Sequence, residues 1–394
     1  MSGGVFLVAA ESSGDALGAD LIRALKDRKP ELAFAGVGGP MMKAAGVDSA
    51  IDIKGLAILG YFDALMAYKR VKIAVDATVA AIAAAKPAAV VLIDSWGFTL
   101  RVALGVRAVA PQIKLIKYIG PQVWASRPGR AKTLAAAVDH LICIHDFETP
   151  YYEPFGLPCT VCGHPALGRF TPGDGAAFRA REGYSADDKI LLVLPGSRSS
   201  EIRRIGPILW RAAALLRETR PDLKLAVVAA ESVRAAVVSQ VPPGVRVIEE
   251  RFKEDAFAGA TVALAASGTV TTEVALQGAP LVIGYKLGWL TWAAARAFMF
   301  KGKYVTLMNV AVDAQAAPEF IQTRFTPKNV AAAAAPLLDN PAARAAQVVA
   351  QNEALARMGR GGPASADIAA DVVLKVMKNG GPVAEAATSS SATG

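Results

Sequence analysis

Ile190-Leu-Leu-Val-Leu-Pro-Gly-Ser-Arg-Ser-Ser-Glu-Ile-Arg-Arg204 sets an all-apolar run against a small-residue turn with one arginine, then opens a polar helix start. Leu191 to Leu194 read as a strand buried on both faces, as in a parallel sheet. Pro195 and Gly196 stop it, and Ser197 to Ser200 offer backbone N–H groups at a helix N-terminus, where an anion is favoured. Arg198 adds a forked cation, so a phosphate site and a plain strand-turn-helix corner both fit these residues. The spacing is neither that of a Walker loop nor that of G-x-G-x-x-G.

The same alternation extends along the chain. Strand-like runs recur at 5–10, 33–37, 89–93, 115–119, 141–144 and 160–162, separated mostly by Ala-rich helical stretches. After a turn-rich linker they restart at 191–194, 225–229, 245–248, 262–265 and 281–284. This is the pattern of an α/β protein with two doubly wound, Rossmann-like parallel sheets, and 394 residues exceed what one ordinary core holds. The expected domains are 1–170 and 171–345, with a returning helix over about 346–378 and a tail at 379–394 too biased in composition to order. In open sheets of this kind ligands sit outside the carboxyl ends of the strands, so two facing sheets would bind in a cleft.

A net charge of +9 favours anionic partners, whether nucleotides, sugar phosphates or an acidic membrane surface. No basic run interleaved with aromatics resembles a nucleic-acid module, so nucleic acid is not expected. The first ten residues lack a basic leader and run straight into a strand, and charges interrupt every long apolar stretch. A cytoplasmic protein with at most peripheral membrane contact is therefore expected.

A second small-residue turn, Ala265-Ala-Ser-Gly-Thr-Val-Thr-Thr-Glu273, also follows an apolar strand and opens a helix with Ser267, Gly268 and Thr269. Two such cradles in one half suit a nucleoside diphosphate. Glu273 is placed either to take both ribose hydroxyls or simply to face the helix dipole. In the first half the strand-end carboxylates are Glu11 and Asp15, within Glu11-Ser-Ser-Gly-Asp-Ala-Leu-Gly18, and Asp94 after Val90 to Ile93. Asp94 reads as a general base or as an N-cap. The cysteines and histidines all fall between His140 and His164, but Cys143 and Cys162 sit inside expected strands and Cys159-x-x-Cys162 lacks a matching second pair, so no zinc site and no redox pair is expected. No Asp-x-Asp triad offers a divalent metal to the diphosphate, and no cofactor is expected.

Residues 56–72, with Leu59, Tyr61, Phe62, Leu65 and Met66 ahead of Lys69 and Arg70, are more apolar and aromatic than a loop needs and end in basic residues. That fits a membrane-contacting segment, or a core face at helical spacing. The stretch 286–303, with Trp289, Trp292, Phe298 and Phe300, has the same two readings.

Taken in order, Glu11 to Gly18, Gly36-Val-Gly-Gly-Pro40, Gly120-Pro-Gln-Val-Trp-Ala-Ser-Arg-Pro-Gly-Arg130, Val161-Cys-Gly-His-Pro165, Leu194 to Arg198, Ala265 to Thr269, Tyr304 to Asn309 and Pro318 to Gln322 resemble the lipid-A-disaccharide synthase family nearly end to end. The resemblance implies a GT-B fold with UDP held mainly by the second domain and a C-terminal helix returning to the first. It implies inverting transfer from UDP-2,3-diacylglucosamine to 2,3-diacylglucosamine 1-phosphate. The two lipid substrates and the anionic cytoplasmic face of an inner membrane would be the partners, and a homodimer stays open.

By the same resemblance Asp94 would deprotonate the acceptor. Gly196, Ser197, Arg198, Ser267, Gly268 and Thr269 would hold the diphosphate, and Glu273 the ribose. Asn309, Glu319 and Gln322 would line the donor side, and Glu11, Ser13, Gly14 and Asp15 the acceptor side. The chain departs from the family pattern at Gly97 and Thr99, where a second Asp and an Asn are more usual, and at Ser12 and Ser126. Another GT-B enzyme using a UDP-N-acetylglucosamine-type donor, either a lipid-linked transferase or a 2-epimerase, would share the same cradles.

Overall fold

A computed structural model describes residues 3–51, 64–124, 126–288 and 303–378. They fall into two units, one of residues up to Cys162 together with those from Pro363 onward, the other Gly163–Gly362. The first boundary lies slightly ahead of the expected 170.

The first unit carries a parallel sheet of β1 (Val5–Ala9), β2 (Phe34–Val37), β3 (Ala89–Ile93), β4 (Lys114–Tyr118), β5 (His140–Cys143) and β6 (Cys159–Val161), ordered β2-β1-β3-β4-β5-β6. β1 and β3 are buried at every position, so neither face meets water, and each face has its own apolar core. Strand order reverses between β1 and β3, which pair directly with Ala9 opposite Ile93. That reversal is a switch point, where a sheet of this type leaves room for a ligand.

The second unit repeats the plan with β7 (Ile190–Leu194), β8 (Lys224–Ala229), β9 (Arg246–Glu249), β10 (Val262–Ala266), β11 (Leu281–Tyr285) and β12 (Glu319–Ile321), ordered β12-β11-β10-β7-β8-β9. Here the switch point falls between β7 and β10, with Leu194 opposite Ala265. Helix Ser199–Glu218 buries Ile202, Ile205, Leu209, Ala212, Ala213 and Leu216 against this sheet, the spacing of one helical face. β12 was not expected: it is three half-buried residues with no apolar run to mark it.

One further correction concerns the C-terminal region, where a single returning helix from about 346 was expected. Helix Pro341–Arg357 instead packs on helices Leu307–Val312, Thr269–Leu276 and Pro327–Asp339 of the second unit. Left-handed Gly359 and Gly361 and then Pro363 break it, and only helix Ser365–Lys378 joins the first unit. There Ala369, Ala370, Val372 and Val373 enter the core with Leu17, Leu21 and Leu25, while Asp367 and Asp371 pair with Arg28 at 2.9 and 2.6 Å. The chain leaves and re-enters the first unit beside a close backbone contact. His164 N–H donates to the Met358 carbonyl at 2.8 Å, and a Cβ on Gly359 would lie 3.0 Å from the Gly163 Cα.

Candidate functional site

In the second unit both small-residue turns open onto one pocket of about 320 Å³, at the carboxyl ends of β7 and β10. Its lining includes Gly196, Ser197, Arg198, Ser267, Gly268, Thr269 and Glu273, so the two expected cradles do meet. Gly196 takes φ +123, and a Cβ there would come 2.8 Å from a Glu201 oxygen, so the turn needs glycine. Arg198 precedes the first turn of helix Ser199–Glu218 in extended backbone, leaving that end without a side-chain cap. Glu201 fills part of the gap: one carboxylate oxygen takes the Arg198 guanidinium at 2.9 Å and the other the Ser197 N–H at 3.3 Å. Helix Thr269–Leu276 likewise starts after Gly268 with no side-chain cap, while the Ser267 N–H is engaged by the Gly284 carbonyl at 3.0 Å. Two uncapped helix starts and an exposed guanidinium make a pocket suited to an anion with more than one negative group.

Glu273 is half-buried and bonds Lys253 at 2.8 Å. Burial works to lower the Lys253 ammonium, but the bond to Glu273 and the charges of Glu273, Glu254 and Glu250 together hold its pKa above the ordinary lysine value. Lys253, Glu201 and Tyr285 line the pocket without having been anticipated. Tyr285 ends an apolar strand beside β10, a position the strand-end rule could have found. Lys253 has no such signal, since Arg251-Phe-Lys253 reads as an ordinary solvated turn.

Three expected donor-side residues are engaged by backbone. Asn309 is fully buried, and its amide exchanges two hydrogen bonds with the Ala317 backbone at 2.9 and 3.0 Å. Glu319 accepts the Val305 and Thr306 N–H groups, both at 2.9 Å, at the start of helix Leu307–Val312. Gln322, left-handed at φ +52, takes the Leu287 N–H at 2.7 Å. All three tie down backbone around β12, and none lines the pocket.

In the first unit the acceptor-side set divides. Glu11 and Ser13 are exposed at the carboxyl end of β1, and Gly14 is buried there, where an added Cβ would lie 3.4 Å from the Ala9 Cβ. Asp15 is another correction: it is buried, and its carboxylate takes the N–H groups of Gly39, Met41 and Met42 at 2.7, 2.9 and 3.0 Å, capping helix Pro40–Ala44. A carboxylate so engaged is structural.

Asp94 stands at the end of β3 and is half-buried. It does not cap the next helix, which starts at Trp96 after Ser95 with no side-chain cap. Asp94 and Ser95 are both left-handed, at φ +46 and +43, and the Asp94 carbonyl accepts from Lys117 Nζ and from Thr99 Oγ1. Lys117 was missed, although a lone lysine inside the apolar run Leu115-Ile-Lys-Tyr118 is itself a signal. Burial pushes its ammonium down to about 7, against the upward pull of Asp94 and Glu11.

Among the described residues no three His, Cys, Asp or Glu side chains come together as a metal-ligand set. Burial pushes the Cys159 and Cys162 thiols up to about 11, and His140 Nε2 shares a hydrogen bond with Thr160 Oγ1 at 2.9 Å. Leu59, Tyr61, Phe62 and the aromatics of 289–302 lie outside the described residues, as do the side chains of Leu65 and Met66. Lys69 and Arg70 are exposed on helix Ala64–Ala85, close to Ile73, itself 68% exposed. No helix of the described residues is long and apolar enough to cross a membrane.

Residues 5–372 match the family model described as lipid-A-disaccharide synthetase. The lipid-A-disaccharide synthase of Rhodospirillum centenum is 39% identical over 379 residues, covering 95% of this chain and 94% of the relative. That of Bradyrhizobium diazoefficiens is 37% identical over 400 residues, covering 95% and 97%. Among solved structures, the UDP-GlcNAc 2-epimerase of Neisseria meningitidis, bound to UDP-GlcNAc, is similar with a TM-score of 0.59 at 11% identity, covering 96% of this chain and 100% of that one. A calicheamicin glycosyltransferase is similar with a TM-score of 0.59 at 16% identity, covering 97% and 100%. At such identities the structural likeness shows the fold alone.

Proposed function

The chain belongs to the lipid-A-disaccharide synthase family, glycosyltransferases of lipid A biosynthesis, and we propose that it joins UDP-2,3-diacylglucosamine to 2,3-diacylglucosamine 1-phosphate. The products are the β-1,6-linked disaccharide 1-phosphate and UDP. The observation that carries this reading is the meeting of two uncapped helix starts with Arg198 on one pocket of the second unit.

The acceptor 6-hydroxyl gives its proton to the Asp94 carboxylate while its oxygen attacks C1 of the donor sugar. As the new C1–O bond forms, the C1–O bond to the diphosphate breaks and its electron pair leaves on UDP, with inversion at C1. The N–H groups from Gly268 onward, the Ser197 turn and Arg198 receive that charge, and Glu273 takes the ribose. Helix dipoles and a guanidinium then serve without a metal. Glu11 and Ser13 remain for the acceptor sugar.

The basic excess and the exposed Lys69, Arg70 and Ile73 support work at the anionic cytoplasmic face of an inner membrane, where acylated substrates reside. Purified protein mixed with both substrates in EDTA should form disaccharide and free UDP. No product, or product only after metal is added, would refute the corresponding part of the reading.

A further inference from the structure

Lys117 is 2% exposed in the middle of a parallel sheet, where β4 sets it beside Leu92 of β3. Lysine is almost never buried to that degree without a partner, and an aliphatic side chain would pack this strand equally well. Its partners lie at the end of β3. Nζ donates to the Asp94 carbonyl and, at 2.7 Å, to Thr99 Oγ1; the Thr99 hydroxyl in turn reaches the same carbonyl at 2.8 Å. That carbonyl belongs to the first of two consecutive non-glycine residues in the left-handed region, Asp94 and Ser95. Side chains disfavour this backbone, and it persists only where the surroundings fix it. Lys117 and Thr99 are those surroundings.

We propose that Lys117 is a positioning residue for glycosyl transfer, pinning the left-handed Asp94–Ser95 turn through the Asp94 carbonyl so that the Asp94 carboxylate is presented at the carboxyl end of β3. This rests on the assignment of Asp94 as the base. The ammonium and the neutral amine both carry N–H donors, so the link survives a change of charge near neutral pH. Thr99, at a position where the chain departs from the usual family residue, supplies the second half of the clamp.

The test compares Lys117→Met, Thr99→Val and Thr99→Ser with the parent enzyme, reading kcat, both KM values, and amide exchange over residues 93–99 against residues 190–194. Lys117→Met and Thr99→Val should lower kcat at least tenfold with each KM within twofold, while Thr99→Ser stays close to the parent. Exchange should quicken over 93–99 alone. If kcat stays within twofold, or if only KM moves, the proposal is overturned. Should Lys117→Met fail to fold, the Thr99 pair decides by the same criteria. If the parent forms no disaccharide, the functional reading fails on its own, and unchanged exchange over 93–99 in the variants then overturns the positioning claim separately.

Discussion

Arg198 and Glu201 are joined at 2.9 Å across the start of one helix, with Arg198 67% exposed and Glu201 only 13%. An ion pair this open stabilises little, so its interest lies in the Ser197 and Arg198 donors that the carboxylate occupies. A diphosphate would need those donors and would meet the carboxylate as a like charge. Arg198→Ala should lower donor kcat/KM roughly 10- to 150-fold, the loss of about 1.5–3 kcal/mol expected for a charge-assisted contact. Glu201→Gln should instead bind UDP several-fold more tightly, read by calorimetry. Weaker binding would mean that the carboxylate orients the arginine more than it competes with the ligand.

Asp94→Asn keeps a residue that tolerates left-handed backbone and removes only the proton acceptor. Turnover should drop about 10²- to 10⁴-fold with donor KM held and melting temperature unchanged. Near-normal kcat would exclude Asp94 as the base.

Asn309→Ala should act on stability and leave the chemistry alone. It strips partners from a buried N–H and a buried carbonyl of Ala317, a cost of about 2–4 kcal/mol, and should lower the melting temperature while donor KM stays put. A rise in KM without loss of stability would return Asn309 to the donor site.

Lys117→Met should raise stability, the opposite of its expected effect on turnover. Burial lowers the lysine pKa from its ordinary 10.5 to about 7, so the folded state is penalised as pH falls from the first value through the second, and no further below it. Thermal melts across that range should show the variant's advantage growing from pH 10 to pH 7 and then levelling, up to a few kcal/mol. A flat difference would mean the lysine keeps its normal affinity for protons.

Much of the fold was legible because fully buried parallel strands leave long apolar runs, and Leu191 to Leu194 and Val90 to Ile93 end abruptly in polar turns. Ser197 and Ser267 were legible for the same local reason: a strand end, a turn and a helix start are contiguous. What was not legible depends on partners remote in sequence. Asp15 is engaged by backbone 24 to 27 residues away, and Glu319 by backbone 13 and 14 residues behind it, which no local pattern encodes. Lys117 meets Asp94 only through the β3–β4 register. The break after Arg357 was written in Gly359, Gly361 and Pro363, but helical periodicity on both sides masked it.

The late return of helix Ser365–Lys378 gives synthesis an order. As the chain leaves the ribosome, the first sheet is complete by Val161, yet the part of helix Ser12–Arg28 that meets helix Ser365–Lys378 stays uncovered until some two hundred further residues have emerged. The Gly163–Gly362 unit holds its own core and can fold during that wait, since domains fold as units. A chain cut at Gly362 would therefore keep a folded second unit and leave the first with an open greasy flank. The nascent protein is most exposed to aggregation over this interval, just before its final helix arrives.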